Sequence, residues 1–271
     1  MIPFVPKRWR RLLIATSVLV YLALVLVVPL GALVLEAAGT GLPAIARALA
    51  RPEALRSLGL SLGLAAVAVV FNGTFGVAGA MVLVRHRFVG RRVLDAAVDA
   101  SLAVSPVMTG LAFLLVFGRE GWLGPTLDAL HVRVAFALPG LVLATLFVTL
   151  PFTVREVAYV LEEIGTEDEE AAITLGASPW NAFRRVTLPN IRHGLRLGIV
   201  LTAARALGEF GAVLVLGGSI AGRTETATTF IFTAVDERRP AAALGMALAL
   251  GAVSLLLLVA LEQVKSRRSA A

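Results

Sequence analysis

The chain contains no cysteine. A disulfide framework and a thiolate metal site are therefore excluded. Histidine is scarce as well. His86, His131 and His193 are scattered, and none pairs with a second histidine at ligand spacing, so no metal site is expected. Acidic residues are the minority charge, 18 against 25 basic, which leaves a net charge of +7. A basic chain can signal nucleic acid. Here the basic residues stand in short clusters beside apolar runs, the pattern of membrane topology signals, and no nucleic-acid binding is expected. Charge of either sign is sparse: charged residues make up 16% of the chain and hydrophobic ones 58%. A soluble domain rarely exceeds about half apolar. The excess points to lipid as the solvent.

Six apolar runs emerge, at 12–35, 58–84, 102–117, 134–154, 195–216 and 241–261. A spanning helix needs about 20 apolar residues at about 1.5 Å each. The run at 102–117 is short, and it lengthens if its helix starts near Ala96, with Asp95 and Asp99 at its end. The fold class expected is an all-α integral membrane protein of about six transmembrane helices. The first apolar run follows Lys7, Arg8, Arg10 and Arg11 and is 24 residues long. A secretory signal has an apolar core of only about 7–15 residues, so this run reads as a retained first helix. Lysine and arginine number sixteen on one side of the alternating topology and eight on the other. The richer side is expected to be cytoplasmic. Both termini and the polar loop at 155–194 then lie inside.

The second run carries Gly59, Gly63, Gly73, Gly76 and Gly79, small residues whose spacing favours close helix packing. Pro106 and Gly110 interrupt the third run, and Pro139 and Pro151 the fourth. Such prolines are ordinary kinks or the broken helices that often line substrate paths.

Arg205 and Glu209 are the costliest residues, because they interrupt an otherwise apolar span. A lone charge at mid-bilayer costs from about 3 to more than 10 kcal/mol. Four residues apart, the two share a helix face and can pair. They form either a neutralised structural pair or a border of the translocation path. A mildly basic path would suit an anionic substrate. Glu209 itself is not expected to touch an anion, since like charges repel.

The loop at 155–194 has its own architecture. Glu162, Glu163, Glu167, Asp168, Glu169 and Glu170 precede Ala171-Ala172-Ile173-Thr174-Leu175, a helix with acids in its early turns. Gly176 stands where a left-handed residue would end that helix. Ser178-Pro179 reads as N-cap and first residue of a second helix. Trp180, Phe183 and Val186 give that helix an apolar stripe, and Leu188-Pro189 is expected to stop it. A loop this long and this organised suggests an amphipathic helix offered to a groove on a partner.

Glu170-Ala171-Ala172-x3-Gly176-x9-Val186-x-Leu188-Pro189 resembles the EAA loop of ABC importer permeases. The resemblance implies the MetI-like type I permease fold, with a permease domain over 57–263. Residues 1–56 would supply an N-terminal cytoplasmic segment, a first helix and an external loop, and 264–271 a basic cytoplasmic tail. It implies that Glu170, Ala171, Ala172, Gly176, Trp180, Phe183, Val186, Leu188 and Pro189 couple the chain to a cytoplasmic ATP-binding subunit, itself a dimer. A narrower likeness follows. Ala204-Arg205-Ala206-Leu207-Gly208-Glu209-Phe210-Gly211-Ala212, Ser105-Pro106-Val107-x2-Gly110 and Phe117-Gly118-x2-Gly121-Trp122 resemble the signatures of sulfate and molybdate permeases, and Gly165-Thr166-Glu167-x-Glu169-Glu170-Ala171-Ala172 with Gly208-Glu209-Phe210-Gly211-Ala212 looks most like the W-type sulfate subunit. This implies sulfate, or thiosulfate, as cargo. It also implies a T-type companion permease, an extracytoplasmic sulfate-binding protein and a multi-pass place in the inner membrane. Arg205, Glu209, Ser105, Pro106 and Thr109 become candidates for the path. The stretch Gly222-Arg223-Thr224-Glu225-Thr226-Ala227-Thr228 lacks the Leu-Pro of many relatives, which keeps molybdate or tungstate open.

Gly217-x4-Gly222-Arg223-Thr224 almost matches a phosphate-binding loop, but the lysine is missing and no strand–helix context surrounds it. No cofactor is therefore expected on this chain, and it is not expected to be an enzyme by itself. ATP-Mg would be used by the partner subunit. A membrane enzyme is a distant alternative, since the acids on the loop have no histidine near them. A channel or receptor subunit would explain the spans but not the Glu-Ala-Ala loop.

Overall fold

The computed structural model describes residues 7–266; residues 1–6 of the expected N-terminal segment and 267–271 of the expected basic tail lie outside them. Among the described residues the regular elements are all helical. Helix α1 (Lys7–Leu22) runs through a π turn at Ala23–Val27 into α2 (Val28–Thr40). Together they make a rod over Arg11–Thr40 whose most apolar stretch is wholly unburied. Such a stretch, apolar all round and unburied, is solvated by lipid tails, while the later part of α2 packs on the short helix that follows and on the last helix described. Helix α3 (Leu42–Leu49) is short. Helix α4 (Pro52–Arg85) follows, and its 34 residues span about 50 Å. Ala54, Ser57, Ser61, Ala65, Ala68, Asn72, Gly76 and Ala80 form its buried stripe, at the three-to-four spacing of one helix face.

The third apolar run does not lengthen into one rod, as the Ala96 start requires. Helix α5 (Arg91–Ala103) and helix α6 (Pro106–Phe117) meet at 117°. The reason is local. Proline clashes with a helical residue before it, and Ser105 is held extended at φ −58, ψ 137. Pro106 then starts α6, where its missing N–H costs nothing. Past the short α7 (Gly124–Ala129), helix α8 (Leu138–Ile164) starts at Pro139's turn and takes Pro151 into its buried interior. It therefore carries ten residues assigned above to the loop. Pro139 opens a helix and kinks nothing.

Helices α9 (Glu167–Thr174) and α10 (Pro179–Ala182) follow. A second π turn, Phe183–Thr187, joins α10 without interruption to α11 (Leu188–Leu207). Leu188-Pro189 was expected to stop the helix and does not. The wide turn lets Leu188 N donate to Phe183 O, and Pro189 falls in a first turn where its missing donor is tolerated. The fifth run is also broken. Helix α12 (Gly211–Gly217) leaves the line of α11 by 54°. Helices α13 (Ala227–Asp236) and α14 (Pro240–Ser266) complete the described residues. The described residues thus hold four helices long enough to cross a membrane, or six spans when each bent pair counts as one.

Helices α4, α8 and α11 form the centre. They touch because they are small where they meet. A Cβ on Gly198 would lie 2.8 Å from Thr153 Cα, and one on Gly76 would lie 2.9 Å from Thr153 Cβ. Gly59 and Gly63 have no such neighbour, so only part of the glycine series packs within this chain. Polar bonds stitch the same seam. Asn72 Nδ2 donates to Thr149 Oγ1 at 2.7 Å, and the Thr153 and Thr202 hydroxyls are 3.1 Å apart. Gly198→Ala should force α8 and α11 apart and lose about 1–3 kcal/mol. A lower unfolding midpoint in detergent tests this; an unchanged midpoint contradicts the packing argument.

At the end of the bundle opposite α9, Glu225 is buried and accepts from Ser57 Oγ at 3.2 Å. Burial pushes its carboxyl above the usual range, against the opposing pull of Ser57 and Arg239. The unfolded chain therefore ionises first as pH rises, so this group subtracts stability above the ordinary glutamate value. Glu225→Gln should raise the unfolding midpoint at about pH 8, with the gain vanishing below about pH 4.3. A gain that is the same at both pH values would contradict it.

Candidate functional site

The segment between α8 and α11 is a rigid two-helix unit. Helix α9 ends in a Schellman turn: Ala177 N donates to Ala172 O at 3.0 Å and Gly176 N to Ile173 O at 2.9 Å. Gly176 sits at φ 89, as its place in the sequence predicts. Ser178 caps α10 by accepting from Asn181 N at 3.3 Å, with Pro179 next to it. Glu162 and Glu163 belong to the end of α8, so the acidic first turn is Glu167 to Glu170 alone.

The predicted stripe divides. Trp180 stacks on Phe183 with ring centroids 5.6 Å apart, and Trp180 is 66% exposed. Phe183 and Leu188 turn inward and pack on the cluster holding Val77, Val157 and Leu161. The apolar surface left open is instead Ile173, Leu175 and Trp180, with Leu175 89% exposed and Glu170 beside them. Ile173 and Leu175 escaped the sequence reading because they sit at the end of a helix too short to show a stripe.

Arg85, at the last turn of α4, holds this unit in place. Its Nε and Nη2 reach Glu169 at 3.1 and 3.2 Å, and it also donates to Leu161 O at 3.1 Å and Gly165 O at 2.5 Å. Glu169 Oε1 accepts from Thr187 Oγ1 at 2.9 Å as well. One carboxylate thus ties α9 to α4 and to the π turn before α11. The Glu170 carboxylate has its bond to Thr166 Oγ1 at 2.7 Å and otherwise faces out. Glu169 reads in the sequence as one of the acids of the loop, and its pairing with Arg85 is not expected there; an arginine at a membrane edge looks like a topology signal.

The two helix breaks meet in the interior. Gly211 packs against Pro106 and Val107, and Gly110 against Ala212 and Val215, so the starts of α6 and α12 abut. Ser105, Pro106, Thr109, Arg205 and Glu209 are brought to this junction; Thr109 is buried and Ser105 exposed. Arg205 and Glu209 do pair, at 2.6 Å between Nη1 and Oε2, but Glu209 lies beyond the end of α11. It takes a second role there. Glu209 Oε1 accepts from Ala212 N at 2.9 Å, and its carbonyl accepts from Thr228 Oγ1 at 2.6 Å. Broken backbone inside a membrane must find such partners. The Gly217–Thr224 stretch closes on itself, Thr224 Oγ1 donating to Gly217 O at 2.6 Å.

Residues 72–269 match the family of binding-protein-dependent transport system inner membrane components. The chain belongs to that family. This permease is 41% identical over 263 residues to the sulfate transport system permease protein CysW of Synechocystis sp., covering 97% of this chain and 95% of that one. The sulfate transport system permease protein CysT of Escherichia coli (strain K12) is 38% identical over 249 residues, covering 92% and 90%. In fold the permease resembles a chain of a bacterial ABC transporter involved in the import of the acidic polysaccharide alginate. The TM-score is 0.80, with 16% identity and 96% of each chain covered. The expected MetI-like permease architecture is therefore the one found.

The permease loop makes one further prediction. Valine at 176 must adopt a positive φ, at a cost of about 1–3 kcal/mol. Gly176→Val should loosen the α9–α10 unit locally, read as faster proteolysis or hydrogen exchange at 170–185 with the global midpoint kept. Unchanged local exchange would remove the argument.

Proposed function

We propose that this permease is the W-type membrane subunit of an ABC importer for sulfate or thiosulfate, paired with a related T-type subunit. The α9–α10 unit seats on a cytoplasmic ATP-binding dimer through Glu170, Ile173, Leu175 and Trp180. That orientation follows from the excess of lysine and arginine on the same side. An extracytoplasmic binding protein delivers the anion to the opposite end, and ATP-Mg is used by the partner. The observation that carries the coupling reading is the tie of Glu169 to Arg85 and Thr187, with Arg85 also donating to Leu161 O at the end of α8. A push on the unit is transmitted to α4, α8 and α11 together, because it cannot rotate alone. Alternating access would then move these spans around the junction of the two helix breaks. Sulfate as cargo rests on the similarity to the two sulfate permeases. Molybdate and tungstate stay as rivals because of the missing Leu-Pro.

Co-purification tests the assembly. An ATPase and a second permease should accompany the tagged chain from native membranes, and the triple substitution of Ile173, Leu175 and Trp180 by Ser should shed the ATPase alone. A wild-type chain that purifies as a stable lone protein would defeat the proposal.

A further inference from the structure

A cavity of about 430 Å³ opens at the end of the bundle away from the coupling unit. Three separate segments line it, and each contributes an arginine: Arg119 after α6, Arg133 before α8 and Arg223 between α12 and α13. The sole acid on its wall is Asp128, which lies 3.8 Å from Arg119. Arg133 and Arg223 have no carboxylate partner among the described residues. Glu225 stands with Arg56 and Arg223 in the neighbouring hollow, and its burial favours the uncharged acid.

The walls are pinned in place. Trp122 N donates to Leu115 O at 3.1 Å and Leu123 N to Val116 O at 2.9 Å, folding the turn that carries Arg119 back on α6. A Cβ at Gly118 would strike Leu114 O, and one at Gly124 would strike Arg119 O. Phe136 N donates to Leu216 O at 2.8 Å and fixes the segment that follows Arg133. The Phe117-Gly118-x2-Gly121-Trp122 motif, which neither the coupling unit nor the helix breaks use, thereby acquires a role. It builds one wall of this cavity.

We infer that this cavity is an oxyanion vestibule, in which Arg119, Arg133 and Arg223 hold a doubly charged tetrahedral anion on its way to the translocation path. Guanidinium suits oxyanions because its planar fork donates to two oxygens at once. A concave site with an excess of one sign also raises the local concentration of the opposite ion. The inference rests on the proposed import of an oxyanion, and it names where that anion first meets this subunit.

The test uses the whole complex in nanodiscs and the arginine reagent phenylglyoxal, with modification read per residue by peptide mass spectrometry. Sodium sulfate should slow modification of Arg133 and Arg223 about fivefold relative to sodium chloride at matched ionic strength, as expected for a mostly occupied site. Arg47 and Arg51, exposed at the same end, should react equally in both salts. Reaction of Arg133 and Arg223 at the same rate in chloride, sulfate and molybdate alike overturns the vestibule. In vesicles, Arg133→Gln with Arg223→Gln should lower uptake kcat/KM roughly tenfold and flatten its salt dependence, while the lysine pair retains much of both. Loss of binding-protein affinity in the glutamine pair, without sulfate protection in the wild type, would show instead that these arginines dock an acidic protein. Protection by molybdate in a complex that sulfate neither protects nor uses would keep the vestibule and remove sulfate as cargo.

Discussion

Arg205→Ala should largely abolish assembly of the permease, and Arg205→Ala with Glu209→Gln should restore most of it. The carboxylate of Glu209 is 2% exposed, whereas the Arg205 side chain is 28% exposed. Removing the arginine strands a buried anion whose remaining bond is the one from Ala212 N. Breaking a buried pair in this way costs about 3–5 kcal/mol. Gln at 209 discards the charge but keeps an oxygen for Ala212 N, so the start of α12 stays capped. Alanine at 209 loses both, and the double alanine variant should recover less than Arg205→Ala with Glu209→Gln. Yield of assembled complex and the unfolding midpoint in detergent check the order. Full assembly of Arg205→Ala alone would show that the pair carries no structural weight. Once the Arg205→Ala/Glu209→Gln protein is in hand, its uptake separates the two readings of the pair. Near-normal uptake means a neutralised brace, and assembled protein without uptake means the pair borders the path.

Arg85→Ala has the second large effect. The arginine side chain is 10% exposed and Glu169 17%, so most of the tie is shielded from water. Its loss leaves Glu169, Leu161 O and Gly165 O short of donors, and a hydrogen bond to a charged group is worth about 1.5–3 kcal/mol. The expected result is an assembled complex that hydrolyses ATP with little sulfate uptake, because the coupling unit is free to turn against α4. Arg85→Lys keeps the charge but not the fork, and should recover only in part. Exchange of the pair, Arg85→Glu with Glu169→Arg, should recover less still, since the carbonyl acceptors then face a carboxylate. If Arg85→Ala transports as much sulfate per ATP as the wild type, the tie does not transmit motion.

The parts that were legible in the sequence are those decided within a few residues. Gly176 and Ser178-Pro179 marked a turn and a cap because each needs only local backbone geometry. The six apolar runs marked four long apolar helices and two bent pairs, because hydropathy is additive. For Pro106 and Pro151 the sequence leaves kink or broken helix open, and Pro189 is wrongly expected to stop its helix. Pro106 begins a new helix at 117° to the last, Pro151 is absorbed, and Pro189 is accommodated by a π turn. Neighbouring helices and a wide turn decided the last two, and neither is visible in a linear pattern. The Arg205–Glu209 pair was legible as a pair, since charge in a span demands a partner. Glu209's bond to Ala212 N was not, because it exists only once the helix breaks at 208–210. The tie of Arg85 to Glu169 was missed for a similar reason: 84 residues separate them, and each alone resembles a surface charge.

Uptake of radiolabelled sulfate by vesicles that hold the whole complex tests the central claim most directly. The vesicles would carry this permease, its companion, the ATPase and the binding protein, with unlabelled molybdate as competitor. The expected result is ATP-dependent accumulation of sulfate that excess molybdate leaves largely intact. ATP-dependent uptake of molybdate with none of sulfate would contradict the assignment of the anion, and absence of ATP-dependent uptake of any oxyanion would contradict the account as a whole.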